Sequence, residues 1–353
     1  MYSSHTFFGH LLCIYLYEIR TVFTIDRFHL TTQEVFMERR EFLEACFKGG
    51  TILSAYALLG NSLINCARTG GLPRRKLGKT GEQLSILGFG GIMLNNMEQQ
   101  RANDLIAMAF DAGINYYDVA PNYGNAEEHM GPALESYRDR SFLACKTHQR
   151  GKAGAEDDLH ASLKKLRTDH FDLYQLHALS SIEDVERAFG PDGAMEVLLK
   201  ARDEGKTRYL GFSAHSQEAA LLAMDKFDFD TILFPVNFVC WHQGKFGPDA
   251  VAMAKSKDMG ILAIKSMAFK PIPAGQDRPY ERLWYVPVEQ KERAQKAVRF
   301  TLSKDVTAAI PPGDPDFFRM ALSFIDDHSP LSESEEQELR NIAAETPPLF
   351  SAV

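Results

Sequence analysis

Four polar residues that could carry out acid–base chemistry occur near the ends of three consecutive predicted strands. Asp118 lies near the end of one strand, Tyr123 follows five residues later, and Lys146 and His177 end the next two strands. A buried lysine needs a counter-charge, which Asp118 could supply. The lysine ammonium would stabilise a tyrosinate and lower the tyrosine pKa from about 10 towards neutrality. Tyr123 could then protonate a carbonyl oxygen as hydride reaches the carbon, with His177 hydrogen-bonded to that oxygen.

Such a group needs a framework that gathers the ends of successive strands. From residue 75 onward, short apolar runs alternate with longer helical patterns, and no low-complexity linker interrupts residues 75–345. The predicted strands are Ile86–Gly90, Ile114–Ala120, Phe142–Thr147, Asp172–His177, Arg208–Ser213, Thr231–Asn237, Ile261–Ser266 and Val306–Pro311. Their continuous apolar character is typical of strands covered on both faces. Eight strand–helix units therefore predict an α/β fold, a single-domain (β/α)8 TIM barrel whose mouth collects these residues.

Helices are predicted between the strands and after the last one. Those between strands are Gln99–Ala112, Ala126–Ser136, Ala155–Arg167, one long helix Ile182–Glu204, Gln217–Lys226, Pro248–Lys257 and Val288–Ser303. A small hairpin before the first strand is predicted from RKLGKTGEQLS. A helix packed outside the barrel is predicted from SESEEQELRNIAAE, because it has a serine start and an acidic first turn.

Several segments together resemble the aldo-keto reductase superfamily. The similarity lies in DAGINYYDVAPNYGNAEEHMGPAL, FLACKT, DLYQLHAL and RKLGKTGEQLSILGFGG, and it covers about residues 72–326 of a predicted barrel domain at 72–350. The resemblance implies a nicotinamide cofactor, NADP or NAD, extended across the barrel mouth. It also implies reduction of a small carbonyl compound or oxidation of the alcohol, with Asp118, Tyr123, Lys146 and His177 as the catalytic tetrad.

The cofactor side departs from the pattern that the resemblance implies. Ser213 matches a serine that holds the nicotinamide carboxamide, but Ala214 replaces the amide residue beside it. His215 either compensates for that loss or caps the following helix. An amide residue expected on the sixth strand is displaced, and Asn237 is the nearest candidate.

The seventh strand is followed by Lys265 and Ser266, where many relatives stack a tyrosine on the nicotinamide. A lysine cannot stack in that way, but it could contact the cofactor diphosphate. The longest loop at the barrel mouth, Phe269–Tyr285, follows and contains Trp284. Its aromatic residues either wall the substrate pocket or pack the loop down.

The eighth strand ends in a turn, Pro311 to Gly313, that resembles the family's Ile-Pro-Gly. Relatives next offer backbone N–H groups and a cation to the adenosine phosphate. Here Asp314 and Asp316 follow, and Arg319 is the nearest cation. The carboxylates would repel a 2′-phosphate unless they cap the helix. The resemblance to the family therefore favours NADP as the cofactor, whereas the local charge favours NAD.

Composition bounds the other classes of function. The net charge is -8 and the chain has no long basic run, which argues against a nucleic-acid surface. The five cysteines are scattered, which argues against a structural metal or disulfide framework. A metal-dependent barrel hydrolase would use His148, His177, His215 and Asp118, but Lys146 would oppose the metal charge. A non-catalytic cofactor-binding subunit is the other alternative, and the intact tetrad weighs against it.

The N-terminal region resembles an export signal. Arg39-Arg40 and Phe42-Leu43 precede a weakly apolar stretch, so residues 37–68 are a candidate twin-arginine signal directing the protein to the periplasm. The stretch is too short and too weakly apolar for a membrane span. Residues 1–36 match no signal pattern and are a candidate spurious extension. The alternative is a soluble helical extension on a cytoplasmic enzyme.

Export predicts that an Arg39→Lys, Arg40→Lys variant of the full chain stays in the cytoplasm, while the unmodified chain reaches the periplasm and is shortened near residue 68. The reason is that a closed barrel would be loaded with its cofactor before leaving the cytoplasm, and the twin-arginine route carries folded proteins. Cell fractionation with immunoblotting measures the distribution. Equal cytoplasmic retention of both forms would contradict the prediction.

Overall fold

The computed structural model describes residues 71–352. The candidate signal at 37–68 and the upstream residues 1–36 lie outside this range, so both remain predictions. In chain order the strands are β1 (Arg74–Lys76), β2 (Gln83–Ser85), β3 (Phe89–Gly90), β4 (Tyr116–Asp118), β5 (Phe142–Thr147), β6 (Phe171–Leu179), β7 (Thr207–Ala214), β8 (Thr231–Pro235), β9 (Gly260–Ile264), β10 (Ala268–Pro271), β11 (Tyr285–Pro287) and β12 (Ala308–Ile310).

The helices lie between and after these strands. They are α1 (Gln99–Asp111), α2 (Ala126–Leu134), α3 (Lys152–Lys165), α4 (Ile182–Phe189), α5 (Ala194–Asp203), α6 (Gln217–Lys226), α7 (Phe238–His242), α8 (Pro248–Ser256), α9 (Lys291–Leu302), α10 (Pro315–Phe324) and α11 (Glu333–Ala344). No helix between residues 71 and 352 has the length and apolar character needed to span a bilayer.

The central sheet is a closed parallel barrel. Its eight strands run β3 to β9 and then β12, each beside its predecessor. Closure comes from backbone bonds between the two ends of the sheet: Gly88 N donates to Ala309 O (3.0 Å), and Ala309 N donates to Ile86 O (2.9 Å). The predicted (β/α)8 fold is confirmed, with its helices on the outside.

Apolar side chains form two layers on either side of the barrel wall. The inner cluster consists of Leu77, Leu84, Tyr116, Phe142, Ala144, Leu173, Leu233, Leu262, Ala308 and Ile310. The outer cluster lies between the strands and the helices and contains Cys145. Because successive side chains on a strand point to opposite faces, Cys145 faces outward and Lys146 faces inward.

The predicted N-terminal hairpin is confirmed and closes one end of the barrel. β1 and β2 pair antiparallel, and Leu77 and Leu84 enter the inner cluster. Lys79 N donates to Asp258 O (2.6 Å), which precedes β9. The hairpin therefore covers the end at which the strands begin, and the opposite end carries the polar residues. The predicted outer helix is also confirmed as α11, with a capping box at Ser332 and Glu335.

The prediction of one helix from Ile182 to Glu204 is wrong. Phe189 ends α4 and Ala194 begins α5. Between them, Asp192 has a left-handed φ of 53°, and a Cβ on Gly193 would lie 2.3 Å from the Ala188 carbonyl oxygen. A proline and two glycines in this turn overrule the apolar periodicity that runs through it. The short helix α7 and the β10–β11 hairpin were not predicted, and α10 was implied only by the alternative that the carboxylates after the eighth strand cap a helix.

The hairpin turn predicts a difference between two glycines that both have positive φ. A Cβ at Gly78 (φ 47°) would lie 2.3 Å from Gly260 N, whereas a Cβ at Gly81 (φ 82°) would meet nothing within 4 Å. Gly81→Ala should lower the free energy of unfolding by about 1 kcal/mol through backbone strain alone. Gly78→Ala should lower it by about 3 kcal/mol, because the backbone of β9 must also move. Urea unfolding of both variants measures this, and equal losses would contradict the close fit.

Candidate active site

A buried ion pair between neighbouring strands forms the centre of the site. Asp118 pairs in register with Ala144, so Lys146, two residues further along β5, lies on the same inner face. Lys146 Nζ donates to Asp118 Oδ1 and to Val119 O, the latter at 3.1 Å. Lys146 is 0% exposed and Asp118 3%. Burial alone would lower the Lys146 pKa, but Asp118 and Tyr123 outweigh it and the pKa is raised. The lysine is therefore charged at neutral pH.

The second oxygen of Asp118 is held by two residues that the sequence analysis missed. Tyr116 Oη donates to Asp118 Oδ2 at 3.3 Å, and Gln175 Nε2 approaches the same atom at 3.4 Å. Tyr116 lies two residues before Asp118, and Gln175 pairs in register with Lys146. A polar residue on the inner face of an otherwise apolar strand was the signal that could have identified them. Together they fix the carboxylate orientation.

Tyr123 lies in the loop after β4, beside the lysine. Its ring centroid is 5.3 Å from Lys146 Nζ and 5.6 Å from the His177 ring centroid, which meets it edge to face. Burial raises the Tyr123 pKa, Lys146 lowers it, and the net effect is a raised pKa. The predicted net lowering is therefore wrong, because desolvation outweighs the nearby ammonium. At neutral pH Tyr123 carries its proton and can donate it.

His177 completes the group as a neutral imidazole. It is 7% exposed, and its Nδ1 has no hydrogen-bond partner among the described residues. Burial, followed by the charges of Lys146 and His148, holds its pKa well below the ordinary value. A neutral ring with one N–H can donate a hydrogen bond to a carbonyl oxygen.

The backbone after His177 is held by Arg150 and Ser213. Arg150 Nη2 donates to the carbonyl oxygens of His177 (2.8 Å) and Ala178 (3.0 Å), and Asp184 pairs with Arg150 Nε at 3.1 Å. Ala178 has a left-handed φ of 53°, and its N–H donates to Ser213 Oγ at 2.7 Å. Ser213 is thus brought next to the tetrad, and its hydroxyl hydrogen remains available for donation.

The alternative that His215 caps the next helix is wrong, because Ser216 caps α6 by accepting a bond from Ala219 N. The His215 ring instead stacks on Phe350, with ring centroids 5.3 Å apart. Burial, then the charge of Lys265, lowers the His215 pKa to about 3. His215 is therefore also neutral at pH 7.

Asn237 and Lys265 lie after β8 and β9. Asn237 Oδ1 accepts a bond from Cys240 N (2.9 Å) and caps α7, whereas its buried Nδ2 has no hydrogen-bond partner in the described part of the chain. Lys265 has a left-handed φ of 63°. Its ammonium lies 5.1 Å from the ring centroid of Trp284. Ser266 is fully buried, with Oγ 3.5 Å from Ile310 O.

Known proteins of one family are similar to this chain in sequence and in fold. The sequence profile of the Aldo/keto reductase family matches residues 86–281, which is more than half of the chain. The chain belongs to the aldo/keto reductase family. Among curated relatives it is 34% identical over 155 residues to the uncharacterized oxidoreductase YqkF of Bacillus subtilis, covering 40% of this chain and 48% of YqkF. It is 31% identical over 180 residues to the L-glyceraldehyde 3-phosphate reductase of Escherichia coli, covering 44% and 49%.

The chain thus spans about half the length of the curated relatives it matches. Among solved structures, the holo form of aldo-keto reductase AKR11C1 from Bacillus halodurans aligns with a TM-score of 0.63 at 21% identity, over 79% of this chain and 98% of that one. At this identity the likeness supports the fold alone.

The segment after the eighth strand differs from the charge pattern expected for an aldo/keto reductase. Pro311 and Gly313 are buried, and Asp314 caps α10 by accepting a bond from Asp316 N (2.9 Å). Arg319 is exposed on α10 and pairs with Asp316 at 3.0 Å. The capping alternative for Asp314 is therefore confirmed. Asp316 instead compensates the charge of Arg319, so a phosphate there would meet little net positive charge.

Within residues 71–352, no three His, Cys, Asp or Glu side chains are grouped as a metal site. His148 meets His177 ring edge to ring face, with centroids 5.5 Å apart. Asp118 is engaged by Lys146. These contacts leave the hydrolase alternative without support from the geometry.

Proposed function

We propose that this aldo/keto reductase is an NAD(P)-dependent oxidoreductase that transfers a hydride between a nicotinamide and a small aldehyde or ketone, or the corresponding alcohol. The observation that carries the proposal is the buried Lys146–Asp118 pair in contact with Tyr123, which lies beside His177. A fully buried ammonium next to a tyrosine can stabilise the tyrosinate that forms when the tyrosine gives up its proton. A relative named for reduction of a small phosphorylated aldehyde supports this substrate class.

The polar residues at the mouth fit a nicotinamide cofactor. Asn237 Nδ2 is a buried donor without a hydrogen-bond partner in the described residues, and Ser213 retains a hydroxyl hydrogen. Both could hold the carboxamide, and Lys265 offers a cation to a phosphate. Pro311, Gly313 and Ser266 are candidate cofactor-binding residues by resemblance to the family. They extend the candidate binding surface towards Arg319. When bound, the nicotinamide supplies or accepts the hydride.

The protein's own residues would handle the proton. In reduction, the Tyr123 hydroxyl gives its proton to the carbonyl oxygen as the carbon gains hydride. Lys146 then stabilises the tyrosinate, and Asp118 keeps the lysine charged. His177 donates a hydrogen bond to the same oxygen and orients it. Because burial raises the Tyr123 pKa, the protonated form prevails at neutral pH, which favours reduction; oxidation needs the deprotonated form and gains as pH rises.

A non-catalytic cofactor-binding subunit is the alternative. In such a subunit the burial of Lys146 and Asp118, which costs free energy, would have no catalytic role.

We also propose that residues 37–68 direct export to the periplasm, because Arg39 and Arg40 resemble a twin-arginine signal. Residence in the cytoplasm is the alternative, and the fractionation experiment described above decides between them.

Tyr123→Phe should remove nearly all turnover while cofactor binding persists. Tyr123 is the proposed proton donor, and general acid catalysis is worth roughly 10²–10⁴ in rate. Tyr137→Phe is the matched control, because Tyr137 stacks on Phe110 outside the barrel and should retain its activity. Steady-state kinetics on an aldehyde panel and fluorescence titration of the cofactor measure both quantities. A Tyr123→Phe variant with more than half of the normal activity would show that the assignment is wrong.

Both cofactors should bind, with NADP preferred by less than the usual family margin, because Asp316 offsets the charge of Arg319. Asp316→Asn should raise the affinity for NADP relative to NAD several-fold by freeing that arginine. Asp305→Asn, which removes an exposed carboxylate paired with Lys255, should not change the ratio. Fluorescence titration of each cofactor measures it. A preference of the unmodified protein for NADP above about a thousandfold, roughly 4 kcal/mol, would contradict this reading of the carboxylates.

A further inference from the structure

The mouth of the barrel contains an ammonium without a paired carboxylate. Lys265 Nζ lies 5.1 Å from the Trp284 ring centroid and 5.7 Å from that of Tyr285. It has no hydrogen bond or ion pair within residues 71–352, and among the titratable groups there only Cys240 favours its charged form. Its left-handed backbone fixes the direction in which the side chain leaves β9. A partly buried cation held in this way, without a counter-ion, needs an anion from a ligand.

Histidine rings lie near this lysine and beside the catalytic histidine. His215 lies close enough to Lys265 for the ammonium to lower its pKa, and His148 has the same effect on both His215 and His177. His148 and His177 are in ring contact. The neutral rings of His177 and His215 each carry an N–H donor. The surface from His177 to Lys265 is therefore lined with donors.

The carboxylates near these donors are already engaged. Asp118 is paired with Lys146, and Asp184 is paired with Arg150. Among the described residues the mouth thus has an uncompensated positive charge, in a chain whose net charge is -8. A concave site of one sign attracts ligands of the other.

The C-terminal segment covers the lysine side of this surface. Phe350 stacks on His215 at 5.3 Å and meets Trp284 edge to face at 5.9 Å. Ala352 N donates to Gly244 O (2.8 Å) and holds the segment in place. Excluding water beside Lys265 strengthens its attraction for an anion, because the local dielectric falls.

We propose that Lys265, with His215, binds an anionic group of the substrate, a carboxylate or phosphate, while the carbonyl of the same molecule lies at Tyr123 and His177. The substrates are then small carbonyl compounds with an acidic group at the far end. The proposal rests on the proposed function. The cofactor diphosphate is the other source of an anion, and the experiment separates the two.

The test compares kcat/KM for 4-formylbenzoate and 4-formylphenyl phosphate with that for the neutral isostere 4-formylbenzamide. The unmodified protein should prefer the anionic aldehydes by roughly tenfold or more, as expected for a charge-assisted hydrogen bond. The preference should be lost in Lys265→Met, partly retained in Lys265→Arg, and reduced by salt. Burial lowers the Lys265 pKa to about 8, so the preference should also fall as pH rises through 8 and the ammonium loses its proton.

Lys304→Met is the matched control, because Lys304 Nζ also lies over a tryptophan, 5.4 Å from the Trp241 centroid, but precedes β12 instead of following a strand. It should keep the full preference. No preference in the unmodified protein, or a preference that survives Lys265→Met, overturns the proposal. A Lys265→Met variant that binds NAD and NADP more weakly but keeps the substrate preference assigns the lysine to the diphosphate and also overturns it.

A binding measurement keeps the test independent of turnover. The chain has two tryptophans, so in a Trp241→Phe background the fluorescence reports Trp284. Benzoate should quench it saturably, and benzamide should not; Lys265→Met should abolish the benzoate response. If the protein turns over none of the aldehydes but binds benzoate saturably, the proposed function is rejected and the anion site is retained. If the protein turns over the aldehydes but does not bind benzoate saturably, the anion site is rejected and the proposed function is retained.

Discussion

The placement of the lysine–aspartate pair between β4 and β5 governs the rest of the site. Two charges taken out of water cost several kcal/mol each, and only good geometry and further hydrogen bonds offset that cost. The barrel supplies both. Register places Lys146 beside Asp118, and Tyr116 and Gln175 occupy the remaining carboxylate oxygen. The same pair keeps an ammonium beside Tyr123, whose proton is the one the proposed chemistry moves.

The surroundings of the pair keep the neighbouring groups neutral. Burial and adjacent cations lower the pKa of His177 and His215, and burial raises that of Tyr123. A protonated phenol beside neutral imidazoles is a set of hydrogen-bond donors. Donors of this kind suit a developing negative charge on a carbonyl oxygen, and they also suit an acidic group on the ligand.

Two of the residues with left-handed backbone lie at the mouth of the barrel. Ala178, near the end of β6, and Lys265, directly after β9, both adopt left-handed φ values. At Ala178 the strain is held by Ser213 and Arg150, and it follows the catalytic histidine directly. At Lys265 it directs a cation towards Trp284. At Ala178 the pairing of β6 with β7 shifts register between Leu176 and Leu179, and at Lys265 the strand β9 has ended. Backbone strain of this kind is found at functional sites generally.

The sequence by itself determined the barrel and the identity of the four central residues. It also predicted the terminal hairpin and the outer helix, because turn residues and helix caps are local signals. It missed the break after Phe189, because a turn of Gly, Pro and Asp interrupts an otherwise continuous apolar pattern. Composition and spacing cannot reveal such local competition reliably.

Only the tertiary structure decided the electrostatics. Whether Lys146 or burial dominates the pKa of Tyr123 depends on how much water the folded mouth excludes, which no spacing encodes. Asp316 could either repel a phosphate or neutralise Arg319, and the side-chain geometry selected the second. Phe350 reaches His215 and Trp284 from the far end of the chain, and the way these segments meet leaves Lys265 without a counter-ion among residues 71–352. These properties arise from contacts between residues distant in sequence, so they exist only once the chain has folded.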